Sequence, residues 1–189
     1  MDEDLKEWIE FQRNAREIIR QGTVPDSAGT LRLFQLLVFP SFDPAIGWEV
    51  FQRRLPSKPV AYYGTHTIWR RDVDGAKFRT PMERLRHPRL LHPTIETKVV
   101  ELSCALVESI LNRFRSLTIP GYVEPGRICL DGTRYEISLG SVFDGARYYW
   151  SNDRPPEWKH LSGAALETLR VLDSAAESAK AQDGRDSLA

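Results

Sequence analysis

The chain has 189 residues, 41% of them hydrophobic and 28% charged, an ordinary balance for one globular domain or one domain with an extension. Its 26 lysines and arginines equal its 26 aspartates and glutamates, so the chain as a whole lacks the basic character of a dedicated nucleic-acid protein. No window nears the ~20 consecutive apolar residues of a membrane span, and the acidic start, Met1 to Glu7, is unlike a secretory leader, so the expected location is the cytoplasm.

Asp2 to Gln21 reads as a helix. Leu5, Trp8, Ile9, Ala15, Ile18 and Ile19 recur near one face, Asp2, Glu3 and Asp4 suit its positive end, and Gly22 is placed to stop it. Thr23 to Gly29 is a loop. Leu31 to Phe39 reads as a buried strand closed by Pro40, Trp48 to Phe51 as a second strand, and Pro59 to Arg71 as a third, rich in β-branched and aromatic residues. Asp72-Val73-Asp74-Gly75 predicts a turn, with Ala76 to Phe78 pairing back across it. Thr80 to Pro93 is irregular and basic. The stripe Ile95, Val99, Leu102, Leu106, Ile110 and Phe114 predicts a long helix over Thr94 to Leu117.

Asp131-Gly132, set between the β-prone runs Arg127–Leu130 and Thr133–Leu139, is a strong hairpin signal, because both turn positions favour residues that tolerate positive φ. Gly140 to Gly145 reads as the connection to a further strand, Ala146 to Trp150, and not as a phosphate loop, which would lead from a strand into a helix. A last helix covers His160 to Lys180, and residues 181–189 are expected to be a disordered tail. The result is an α+β domain over residues 1–180. An antiparallel sheet, drawn from two β blocks, carries an N-terminal, a long central and a C-terminal helix on one face. Whether the blocks form one sheet or two is open.

Catalytic patterns are scarce. His66 lies on a predicted strand, His87 and His92 each precede a proline, and His160 opens a helix; none has the spacing of metal ligands. Cys104 and Cys129 sit on predicted core elements and read as reduced, buried thiols. Asp72, Asp74 and Asp131 are accounted for as turn formers, and Glu101 and Glu108 as the solvated side of the long helix. No metal and no cofactor is expected.

Binding features stand out more. Residues 53–92 hold ten basic against three acidic side chains, a local excess of seven positive charges between two mildly acidic ends. Arg70, Arg71, Arg84, Arg86 and Arg89 lie there near Tyr62, Tyr63 and Trp69. Further on, alternation places Tyr148 and Trp150 on one side of a strand and Tyr149 on the other, with Arg147 and Arg134 as neighbours. Tyr, Trp and Arg are the usual anchors of interfaces, while the structural reading of the same strand is core packing with Trp158 clamping the last helix.

The run Asp131-Gly132-x-x-Tyr135, Tyr149-Trp150 and Pro156-x-Trp158-x-x-Leu161 resembles the ends of several small bacterial proteins, some of them similar to immunity proteins that neutralise a toxin by covering it. The resemblance implies a covering role and assigns no catalytic or binding residue.

The expected function is therefore a non-catalytic interaction protein of adaptor or immunity type. Its protein partner would meet Arg70, Arg71, Arg84, Arg86, Arg89, Arg147, Tyr149 and Trp150. A nucleic-acid partner on residues 53–92 is the alternative, and would bind with an affinity that falls steeply as salt rises. An enzyme built around His66, Arg70 and a carboxylate is the third reading.

Overall fold

The computed structural model describes residues 3–22, 29–41, 43–79, 92–120, 132–140, 145–152 and 154–186. Helix α1 (Glu3–Gln21) ends at Gly22, whose φ of 69° glycine adopts without the strain of a Cβ. Strands β1 (Thr30–Pro40), β2 (Ile46–Arg53) and β3 (Ala61–Trp69) follow, each antiparallel to the one before.

The next two elements correct the sequence reading. Arg71–Arg79 is a helix, α2, where a turn and a returning strand were expected. Asp74 explains the difference. It is fully buried, and its carboxylate accepts from Trp69 Nε1 at 2.8 Å, from the Thr94 N–H at 2.8 Å and from the Thr94 hydroxyl at 2.6 Å. With Asp72 it also sits in the first helical turn, where negative charge suits the dipole.

The expected long helix divides in two. Ile95–Leu102 is strand β4, and only Cys104–Arg115 is helical, as α3. Ile95, Thr97, Val99 and Val100 are β-branched, so their apolar spacing fits a strand as well as a helix, and pairing with β3 decides it. Ser103 then caps α3, its hydroxyl accepting from the Leu106 N–H at 3.2 Å. Glu101 thus belongs to β4 and only Glu108 to a helix, while Cys104 is exposed instead of buried.

Strands β5 (Thr133–Gly140) and β6 (Gly145–Trp150) form the expected second β block, paired from Tyr135–Trp150 to Gly140–Gly145. The earlier hairpin strand, Arg127–Leu130, and Asp131 and Cys129 lie outside the described residues. A 3₁₀ turn (Pro156–Trp158) leads into helix α4 (Lys159–Asp186), which runs into the residues expected to be tail.

Among the described residues the two blocks make one six-stranded antiparallel sheet in the order β4-β3-β2-β1-β5-β6, joined by pairing of β1 with β5. The fold is α+β, as the sequence predicts, but helices cover both faces and not one. On one face, Phe34, Leu36, Trp48, Val50 and Ile137 pack with Val107, Ile110 and Phe114 of α3 and Leu161 and Leu172 of α4. Trp48 Nε1 donates to Asp173 of α4 at 2.8 Å, and Tyr148 meets Trp158 edge-on, the expected clamp on the last helix. On the other face, Leu37, Phe39 and Trp69 pack against Phe11, Ala15 and Ile19 of α1. The unbroken apolar run Leu36–Phe39 is what a strand buried on both sides requires.

Strand β1 carries a bulge between Arg32 and Phe34. In a regular strand these two residues would share a face. The extra residue instead sends Phe34 into the α3/α4 core and Arg32 to the α1 side, where it reaches Glu49 at 3.1 Å.

Two glycines test this packing with opposite signs. A Cβ on Gly47 would stand 2.9 Å from Ile19 Cγ2 and 3.2 Å from Leu37 Cδ2, whereas one on Gly163, within α4, would have nothing within 4 Å. Gly47→Ala is expected to lose about 1–3 kcal/mol of stability, and Gly163→Ala to gain about 0.5–1 kcal/mol. Urea unfolding checks both.

Candidate functional site

Helix α1 packs on β1, β2 and β3, and among the described residues no helix lies over β5 and β6 on its side of the sheet, which the Arg20 side chain reaches. Alternation there turns out a polar row: Arg134, Glu136 and Ser138 on β5, Arg147 and Tyr149 on β6. Between this row and the end of α1 lies a cleft of about 630 Å³, bounded by Arg20, Arg32, Arg134, Arg147 and Tyr149 among others.

Glu136 is the hub of the cleft. Its side chain is 1% exposed and is held by three guanidinium groups. Arg20 approaches with two nitrogens, Nη2 to Oε1 at 2.7 Å and Nε to Oε2 at 3.2 Å, the fork geometry that suits a carboxylate. Arg147 Nη2 donates to Oε2 at 2.6 Å, and Arg134 Nε lies 3.2 Å from Oε1. Burial alone would push the Glu136 carboxyl up. The hydrogen bonds from Arg20 and Arg147, with the charges of Arg20 and Arg134, outweigh burial and hold the carboxyl below its ordinary range.

A second carboxylate, Glu49, sits under the end of α1. It accepts from Arg32 at 3.1 Å and lies 3.4 Å from Gln35 Nε2, which also donates to the Arg20 carbonyl. A Cβ on Gly22 would collide with this carboxylate, so glycine lets the helix end close over it.

Positive charge exceeds negative here. Among the described residues, Arg16 adds to the four cleft arginines, and three carboxylates, Glu17, Glu49 and Glu136, oppose them. Arg16 registers the imbalance: burial, then repulsion from Arg71, Arg20 and Arg134, lowers its pKa from the usual guanidinium value against the pull of Glu136. The buried Nε atoms of Arg16 and Arg32 have no hydrogen-bond acceptor among the described residues.

The structure divides the residues expected to form a partner surface. Arg147 and Tyr149 meet in the cleft; Tyr149 is 62% exposed, and the Arg134 guanidinium lies 5.1 Å from its ring centre. Trp150, on the opposite side of β6, is 6% exposed and stacks on Tyr135 in the α3/α4 core, so it is corrected from a surface anchor to a core residue. Arg70 is held by Asp72 and by Glu96 at 2.6 Å, away from the cleft, and these pairs raise its pKa. Arg71 donates to the Ser41 carbonyl and lies 6.0 Å from the Trp69 ring centre, and it does not line the cleft. Arg84, Arg86, Arg89 and His87 lie outside the described residues.

His66 faces α4 on the other side of the sheet. It stacks on Trp48 with ring centres 4.5 Å apart, and its Nε2 is 3.9 Å from Asp173, the acid that Trp48 already engages. Arg70 is not brought to it. Among the described residues, no three His, Cys, Asp or Glu side chains are placed to hold a metal ion together.

Sequence reasoning missed Arg20, Arg32 and Glu136. Arg16 and Arg20 share a helix face, and Arg134, Glu136 and Ser138 alternate; both signals were legible, but nothing local said that the two faces meet.

Glu136→Gln removes the hub charge. Because the native pKa of Glu136 is depressed, its contribution is present above the unfolded value of about 4.3 and is lost as pH falls through the lower native value. The variant is expected to be about 2–3 kcal/mol less stable than the parent at pH 7, a figure reduced for the partial exposure of its arginines. The gap should close as pH falls toward 3, which urea midpoints at pH 7, 5 and 3 measure.

Comparison of the chain with protein-family models, curated proteins and solved structures returns no match.

Proposed function

We propose that this is a non-catalytic binding protein whose arginine cleft, with Tyr149, receives an acidic segment of a protein partner. An adaptor or immunity-type role is the concrete form of this reading. The observation that carries it is the excess of guanidinium groups around one open cleft, beside an exposed aromatic ring. Oriented arginines recognise carboxylate and phosphate by fork geometry, and an aromatic at their rim adds contact area with little entropy to lose. A cleft of about 630 Å³ has room for a side chain and its neighbours and is far larger than a single ion.

A nucleic-acid groove needs a continuous basic track with several stacking rings. Here carboxylates interrupt the arginines, and among the described residues Tyr149 is the one aromatic bounding the cleft. That favours a protein segment. The His66 reading gains no support from its surroundings, a tryptophan face and an acid already bonded to that tryptophan.

Affinity capture with the tagged chain from its native lysate, with and without nuclease, tests the proposal. The expected result is one stoichiometric protein partner that survives nuclease, and a drop of about tenfold in its capture by Arg147→Ala and by Tyr149→Ala. Arg20 still neutralises Glu136 in the first variant, so folding should persist, as a thermal melt checks. Loss of every partner on nuclease treatment would turn the reading to nucleic acid. Capture that survives these changes but fails in an Arg84, Arg86 and Arg89 charge-swap variant would move the interface to the basic segment.

A further inference from the structure

Resting on the cleft as the binding site, we infer that the group it is built to take is a phosphate monoester carried on a side chain of the protein partner. Three observations point there. The first is charge. Among the described residues the cleft and its wall hold five guanidinium groups, Arg16, Arg20, Arg32, Arg134 and Arg147, against the carboxylates Glu17, Glu49 and Glu136, so one incoming carboxylate would leave half of the excess in place. A phosphate monoester carries about −1.5 to −2 at neutral pH and removes most or all of it.

The second is donor supply. Arg134 and Arg147 are each more than half exposed, and each makes one contact with Glu136. A guanidinium has five N–H groups, so both keep several for a ligand on the open side. Phosphate offers three terminal oxygens at the spacing two guanidinium forks can share, which is how arginine clusters read phosphorylated segments.

The third is preorganisation. Glu136 holds Arg20, Arg134 and Arg147 around a single buried carboxylate, so their positions are set before a ligand arrives. The buried Nε atoms of Arg16 and Arg32 have no acceptor among the described residues, so the field in the cleft is incompletely quenched from within. The size of the cleft argues for a segment over a free ion.

The test uses the full chain and four probes, followed by calorimetry or fluorescence anisotropy. They are a phosphoserine peptide with acidic flanks, the same peptide with glutamate in place of phosphoserine, inorganic phosphate, and a single-stranded RNA oligonucleotide. The phosphopeptide is expected to bind at least tenfold more tightly than the glutamate peptide. Its affinity should rise between pH 5 and pH 7, as the second phosphate proton, with a pKa of about 6, is lost. Arg134→Ala/Arg147→Ala should abolish the preference while Arg70→Ala, outside the cleft, leaves it unchanged. Equal binding of the two peptides would overturn the phosphate preference and leave the acidic-segment reading standing. Inorganic phosphate binding as tightly as the phosphopeptide would overturn the protein source, and tighter RNA binding would replace it with nucleic acid. Binding of no probe overturns the inference, while nuclease-resistant capture judges the broader reading separately.

Discussion

Burial of the central strands on both sides is the constraint from which the rest follows. Strands β1 and β2 alternate apolar residues toward two cores, Phe34, Leu36, Trp48 and Val50 toward one and Leu37 and Phe39 toward the other. A sheet of that kind cannot leave either centre to water, since each large side chain so exposed would forgo about 1.5–3 kcal/mol. Helices α3 and α4 meet one demand and α1 the other. Among the described residues α1 covers this second face only in part, and the remainder over β5 and β6 becomes the polar ground on which the arginines gather.

That ground is organised by opposed charges that are not balanced. A buried carboxylate such as Glu136 would be costly alone and is tolerable because three guanidinium groups converge on it. The arginines are tolerable in turn because two of them reach water. The protein itself supplies part of the opposing charge, through Glu17, Glu49 and Glu136, and leaves Arg134 and Arg147 more than half exposed. On the other face the polar contacts serve attachment. Trp48, His66 and Asp173 meet where α4 lies on the sheet, and the Tyr62 hydroxyl bridges Gln52 and Glu108 of α3.

How much of this was legible in the sequence depended on how local each cause is. Helix α1 with its glycine stop, the three first strands and the β5–β6 pair rest on short patterns and were readable. Helix α2 was not, because what overrides the turn signal is Asp74 bonding to Thr94, twenty residues away. The split at Ser103 was hidden because Ile95, Val99 and Leu102 satisfy two periodicities at once, and the choice belongs to pairing with β3. Of the site, Arg147 and Tyr149 were readable from alternation along β6. Trp150 was drawn into the surface by its residue type, against the same alternation that turns it inward. Arg20 and Arg32 could not be added, since one depends on where a helix end lands and the other on a bulge.

The bulge in β1 has a consequence for how this protein can change by descent. Arg32 stands in the cleft through its chemistry and through the one residue by which β1 exceeds β2 between Arg32 and Phe34. Gain of a single codon in β2 between Val50 and Phe51 would give Leu33 a partner, restore the regular pleat and carry Arg32 to the opposite side of the sheet, with the arginine itself unaltered. The cleft would then lose one of its charges while the core, from Phe34 onward, kept its register. Charge in this pocket can thus be inherited or lost through strand length, a route that comparison of aligned residue types alone would overlook.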